Sequence, residues 1–144
     1  MHIKVVYHSS TGNTEKLAYA IGDALGVQPA SLGEDTLSFS EPVDLLFIGD
    51  GIYFGKAHQK TRAFIRELDA SAVKAAAVFA TYGGQAKIGD EISALLREKG
   101  IRVVEKPFLC KGQAWLLLNR KHPTKAELSD AVTYAKRAVE EAGS

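Results

Sequence analysis

Between Ser9 and Thr14 the chain reads SSTGNT, with hydroxyls at Ser9, Ser10, Thr11 and Thr14, an amide at Asn13 and a glycine at Gly12. The apolar run Ile3 to Val6 precedes this stretch, and Lys16 is the first cation after it. Placed between a strand and a helix, such a segment has the chemistry of an anion site. The first N–H groups of a helix lack partners within it, and the helix dipole draws negative charge to them. The hydroxyls add bonds to phosphate oxygens, and Gly12 lets the backbone turn closely around the anion. The same residue types also cap helices, so for this segment alone both uses stand. Neither G-x-x-x-x-G-K-S/T nor G-x-G-x-x-G occurs, which disfavours a nucleoside triphosphate or dinucleotide site.

The elements that would position this loop are legible as two alternating textures. Apolar runs lie at Ile3 to His8, Asp44 to Asp50, Ala75 to Thr81 and Ile101 to Leu109, with a weaker candidate at Gln28 to Leu32. Three of them are continuous, as strands covered on both faces are. Leu17, Ile21 and Leu25, widened by Ala20 and Ala24, predict a helix that stops near Gly26. Phe64, Ile65 and Leu68 mark a second helix, and Ile88, Ile92, Leu95 and Leu96 a third that ends at Gly100. Thr124 and Glu127 have capping-box spacing and open a fourth, with Leu128, Val132, Ala135 and Val139 as its apolar face. Strict alternation predicts an α/β fold with a doubly wound five-stranded parallel sheet, strand order 2-1-3-4-5, and helices on both faces. The whole chain, 1–144, is expected to form one domain. In that architecture ligands bind beyond the carboxyl ends of the strands, so the loops after His8, Gly49 and Thr81 should converge.

YHSSTGNTEKLAYAI resembles the phosphate loop of flavodoxins, whose pattern is (S/T)-x-T-G-x-T, with Ser9, Thr11, Gly12 and Thr14 at the fixed positions. GDGIYFGKAHQKTRAFI is similar to the second loop of a group of small bacterial and archaeal flavodoxin-like proteins. CKG, KHPTKAEL and the final helix extend the likeness over essentially the whole chain, most closely over Val5 to Ile21 and Ile48 to Ile65. The resemblance implies a flavodoxin-like fold and FMN as cofactor. By it, Ser9, Ser10, Thr11, Gly12, Asn13 and Thr14 would hold the monophosphate. Main-chain groups of Asp50, Gly51, Ile52, Tyr53, Phe54 and Gly55, and of Thr81, Tyr82, Gly83, Gly84 and Gln85, would meet the edge of the isoalloxazine. A flat ring gains most from stacking on aromatic side chains. Tyr53 or Phe54 would flank one face and Tyr82 the other. Each of these aromatics alone could equally be a core plug at a strand end. A peptide flip toward flavin N5 would fall on Gly55, or failing that on Gly51.

Several features depart from that family. Flavodoxins that replace ferredoxin are strongly acidic, whereas this chain has a formal net charge of +1. Lys56, His58 and Lys60 follow the second loop and Lys87 the third. Cations beside the ring would favour reduced, anionic flavin and so a weaker reductant, unless the ammoniums stand in water, where salt screens them. CKGQAWLLLNRKHP is shorter than the related region of the resembling group. Its cluster Trp115 to Leu118 suits a core or edge strand, or else an apolar contact patch or an outer wall for the flavin.

The expected function is electron transfer by an FMN protein, to a redox partner protein or a small acceptor. The cofactor would carry the chemistry, and no catalytic constellation is present. The alternative is an FMN-dependent oxidoreductase acting on a quinone or a porphyrinogen. IGDGIYFGKAH also resembles the corresponding loop of flavodoxin-type protoporphyrinogen oxidases, and His58 could donate a proton there. A histidine in that place is also an ordinary solvated helix start. A phosphoacceptor receiver would use Asp50 at the end of strand 3, but YHSS lacks the acidic pair that Mg²⁺ requires. The intact phosphate loop argues against a module that has lost its ligand. The near-neutral charge and the lack of zinc-ligand spacing exclude a typical nucleic-acid binder. Apolar runs are too short to span a bilayer, there is no cleavable-leader pattern, and Cys110 is the sole cysteine. A cytoplasmic location is expected, with Cys110 a buried small hydrophobe and the protein a monomer or weak dimer.

Overall fold

A computed structural model of the chain describes residues 1–9, 12–32, 39, 41–52, 57–82, 88–111 and 123–144. The strands are β1 (Ile3–Tyr7), β2 (Ala30–Ser31), β3 (Leu45–Ile52), β4 (Ala75–Tyr82), β5 (Arg102–Val103) and β6 (Phe108–Lys111). The helices are α1 (Asn13–Leu25), α2 (Gln59–Glu67), α3 (Ile88–Glu98) and α4 (Lys125–Ala142). All strand pairings are parallel, in the order β2-β1-β3-β4-β5, with β6 also paired to β4. The fold is the doubly wound parallel α/β sheet that the alternation predicts, in the flavodoxin-like order that the resemblance implies.

Alternation of side chains along the strands divides the core into two layers. Val5, Tyr7, Phe47, Ala77 and Phe79 pack on one face against Leu17, Ala18 and Ile21 of α1 and Ala131, Tyr134, Ala135 and Ala138 of α4. Val6, Leu46, Ile48, Val78 and Ala80 pack on the other, against Ile65 of α2 and Ile92 and Leu96 of α3. β3 and β4 are buried on both faces, which is why they read as unbroken apolar runs.

The caps follow the sequence signals. Gly26 ends α1 in the left-handed region with φ 71°, and Gly100, φ 86°, follows α3. Thr124 Oγ1 accepts from the Glu127 N–H while the Glu127 carboxylate accepts from the Thr124 N–H, completing the capping box of α4.

Three expectations are corrected. The second strand is only Ala30–Ser31, with the Leu32 N–H donating to Tyr7 O. The fifth is split: Glu105 takes a left-handed φ of 59° and Pro107 carries no N–H, so β5 and β6 flank a break. The buried helix faces differ in part from those expected: Leu17 and Ile21 of α1 and Ala135 of α4 are buried as predicted, with Leu25 packed beside them, but the stripe is not the one drawn throughout. α1 buries Ala18 and Gly22, while Ala20 is half-buried and Ala24 exposed. α4 buries Ala131, Tyr134, Ala135 and Ala138, with Leu128 and Val139 packed at the border and Val132 only half-buried.

Candidate functional site

β1, β3 and β4 release their chains at one edge of the sheet. Their register puts Tyr7 beside Gly49, Gly51 beside Thr81 and Ile52 beside Tyr82. Residues far apart in sequence therefore share a few ångströms of surface.

On the α1 side of this edge, Gly12 is the N-cap residue, at φ 89°. A side chain resists that conformation. The Gly12 N–H donates to Ser9 Oγ at 2.9 Å, which ties the start of α1 to the residue two beyond β1. Gly12 supplies no capping side chain, and the first-turn N–H groups of a helix are the donors that an anion meets at such an end. Asn13 and Thr14 are buried here, and Thr14 Oγ1 lies 2.8 Å from Thr81 Oγ1 in a hydroxyl pair that joins α1 to β4. Gly51 covers the pair: a Cβ at that position would stand 2.6 Å from Thr14 Oγ1 and 2.7 Å from Thr81 Oγ1. The result is a cradle of neutral donors with backbone close above it. It fits an anionic group such as a phosphate monoester, held by oriented dipoles rather than by a lysine.

The opposite face of the same edge holds a different cluster. Asp50 is fully buried, and its carboxylate is occupied from three sides. Oδ1 accepts from the Gly51 N–H at 2.7 Å and faces His8 Nδ1 at 3.1 Å, while Oδ2 accepts from the His58 N–H at 2.7 Å. A buried carboxylate is tolerable only when so paired. The His8 and His58 rings stack, with centroids 3.8 Å apart and planes at 20°. His58 is the N-cap of α2, and its Nδ1 accepts from the Lys60 N–H at 3.1 Å. The pKa of His58 is lowered, first by desolvation of its ring and then by His8, with Asp50 opposing and Lys60 and Arg62 adding to the depression. Just before it, the Ala57 N–H donates to Glu91 Oε2 of α3 at 3.0 Å.

Of the residues that the sequence nominates, Ser9, Gly12, Asn13, Thr14, Gly51 and Thr81 come together on the α1 side. Ile52 and Tyr82 end the neighbouring strands. Asp50 shares the edge through its main chain but turns its carboxylate to the other face. Ser10, Thr11, Tyr53, Phe54, Gly55, Gly83, Gly84 and Gln85 lie outside the described residues, as do Lys56, Lys87 and Trp115 to Leu118. His8 was not nominated. Its signal was present, because strand order 2-1-3 makes the ends of β1 and β3 neighbours, but the register that faces His8 with Asp50 is not readable from either run alone. Cys110 is buried, as expected, and its thiol donates to Glu127 Oε2, tying β6 to the start of α4. No group of three His, Cys, Asp or Glu among the described residues could hold a metal. No described helix is long and apolar enough to cross a membrane.

Comparison with known proteins bears on the family and the fold. A flavodoxin-domain family model matches residues 4–142. An uncharacterized protein of Methanocaldococcus jannaschii is 29% identical over 143 residues, covering 92% of each chain. Among solved structures, a flavodoxin from the Archaea superposes over all of both chains with a TM-score of 0.80 and 25% identity. Two others share the fold at lower identity. The rubredoxin:oxygen oxidoreductase of Desulfovibrio gigas has a TM-score of 0.81 at 13% identity, over 99% of this chain and 36% of that one. A short-chain flavodoxin associated with a bacterial microcompartment has a TM-score of 0.73 at 16%, over 99% of both.

Proposed function

The chain belongs to the flavodoxin family, and on that premise we propose that it binds FMN at the carboxyl edge of its sheet and carries electrons to a redox partner protein or a small acceptor. The observation that carries this reading is the cradle formed by the glycine-led start of α1, the Thr14–Thr81 hydroxyl pair and the close backbone of Gly51. In this reading Ser9 to Thr14 hold the phosphate through N–H and hydroxyl donors. Asp50 to Gly55 and Thr81 to Gln85 border the ring, with Tyr53 or Phe54 and Tyr82 stacked on it. When bound, the isoalloxazine supplies the redox chemistry. The chain contributes binding, orientation and exclusion of water.

An FMN-dependent oxidoreductase acting on a quinone or porphyrinogen is the second reading, favoured by the oxidoreductase among the structural neighbours. It is the weaker one, because a histidine that donates a proton near neutral pH acts as the imidazolium, which His58 resists with Nδ1 accepting from the Lys60 N–H and its pKa lowered by desolvation. The test is the absorption spectrum of the purified protein, with the released cofactor identified and FMN added back. A flavin spectrum, release of FMN and one-to-one rebinding are expected. Failure to bind FMN after reconstitution would sink both readings, while turnover of a quinone or porphyrinogen would favour the second.

A further inference from the structure

Asp50 is a buried ionisable side chain to which phosphate binding assigns no role. Among the described residues it is the one carboxylate in the buried interior, with no exposure at all. Such a group is costly to keep from water, and what its oxygens hold shows what it is kept for.

The end of the sheet explains the first of its bonds. The His8 N–H donates to Gly49 O, so the main-chain polar groups of Gly49 point toward β1. Those groups alternate sides along a strand, so the Gly51 N–H points the same way. β1 ends at Tyr7, opposite Gly49, and among the described residues no strand stands there to receive it. Asp50 Oδ1 takes it instead, at 2.7 Å, reaching round from the α2 face. The carboxylate is itself held in place, because Oδ2 accepts from the His58 N–H at 2.7 Å and Oδ1 faces His8 Nδ1 at 3.1 Å.

On the other face the same glycine lies over the cradle. Thr14 Oγ1 and Thr81 Oγ1 stand 2.6 and 2.7 Å from where a Gly51 Cβ would be, so there is little room for this backbone to shift without displacing a hydroxyl. We propose that Asp50 is a positioning residue of the flavin site: from the α2 face its carboxylate fixes the Gly51 peptide, and that peptide holds the Thr14–Thr81 hydroxyl pair in the arrangement that receives the phosphate on the α1 face. The inference rests on the FMN reading. Its sign sets it apart from plain electrostatics. Removing an anion near a phosphate site would by Coulomb's law alone tighten binding, whereas a released Gly51 peptide weakens it.

The test compares FMN with riboflavin, which lacks the phosphate, by fluorescence quenching of the full chain at pH 8. Partial loss of fold weakens both alike, so the ratio of the two affinities isolates the contribution of the phosphate. In Asp50→Ala the preference for FMN is expected to fall about tenfold. Asp50→Asn, whose neutral amide accepts more weakly than a carboxylate, should lower it about threefold, and decides alone if Asp50→Ala does not fold. Asp50→Ala combined with Gly51→Ala should lose no more than Gly51→Ala by itself, because both act through one peptide. A preference that stays at the wild-type value or rises in the Asp50 variants, or losses that multiply in the double variant, overturns the inference. Where the wild-type chain does not bind both flavins, NMR of the ligand-free protein decides. Thr14 and Thr81 methyl signals displaced in Asp50→Asn support the inference, and unmoved signals overturn it. Binding of neither flavin sinks the FMN reading, a separate outcome.

Discussion

At the scale of single residues, the site depends on a glycine chosen for closeness rather than for an unusual φ. Gly51 lies in β3, and what forbids a side chain there is the hydroxyl pair beneath it. Gly51→Ala is expected to push Thr14 or Thr81 off its rotamer, costing about 1 to 3 kcal/mol of stability in urea unfolding. It should weaken FMN binding by at least tenfold in a fluorescence titration, since the displaced hydroxyls belong to the cradle. Unchanged affinity would show that this pair lies outside the phosphate site. Thr14 was legible from the loop pattern, because Ser9, Thr11, Gly12 and Thr14 form a local signature. Its partner's role was not, because Thr81 becomes adjacent only through the β3–β4 register and the approach of α1 to the sheet.

At the scale of elements, the start of α4 is tied both to its own cap residue and to β6. Glu127 caps the Thr124 N–H with one carboxylate oxygen and receives the Cys110 thiol from β6 on the other. Thr124→Ala removes the reciprocal acceptor and should cost about 1 kcal/mol in chemical denaturation. The spacing of Thr124 and Glu127 made this cap readable in advance. The buried face of α4 was harder: Ala135 was on the expected stripe, but Ala131 and Ala138 carry little hydrophobic signal, and the larger Leu128, Val132 and Val139 drew the rest of it to the rim. β3 and β4 were legible for the converse reason, since burial on both faces leaves an uninterrupted apolar record. The split of the fifth strand was not, because Val103 and Val104 preserve strand-like composition up to the residue where Glu105 turns left-handed.

At the scale of the whole molecule, stability should be greatest from about pH 7 to about pH 9. Asp44 is lowered by its bonds to the His2 N–H and Lys74, and Asp69 by those to Ser71. His58 is lowered as well. Groups depressed in the folded state lose their contribution as pH falls, so the decline starts below about 6.5 with His58 and steepens below about 4 with the carboxylates. On the alkaline side, burial and then Glu127 raise the Cys110 thiol, burial raises Tyr134, and burial with Glu15 pushes Tyr7 up to about 12. Groups raised on folding stabilise below their unfolded pKa, so stability should fall as pH climbs past about 9 for the thiol and about 10 for the phenols. Thermal midpoints measured from pH 3 to pH 12 would show this plateau, and a maximum below pH 6 would contradict it. The broken fifth strand bears on behaviour at high concentration. A sheet edge recruits a neighbour's strand when it offers a long, flat row of unpaired N–H and C=O groups. Among the described residues this side offers a two-residue piece and a four-residue piece, offset by Glu105 and by Pro107 pressed against Gly89. Among the described residues the irregularity is therefore expected to disfavour edge-to-edge zippering of crowded copies into fibres.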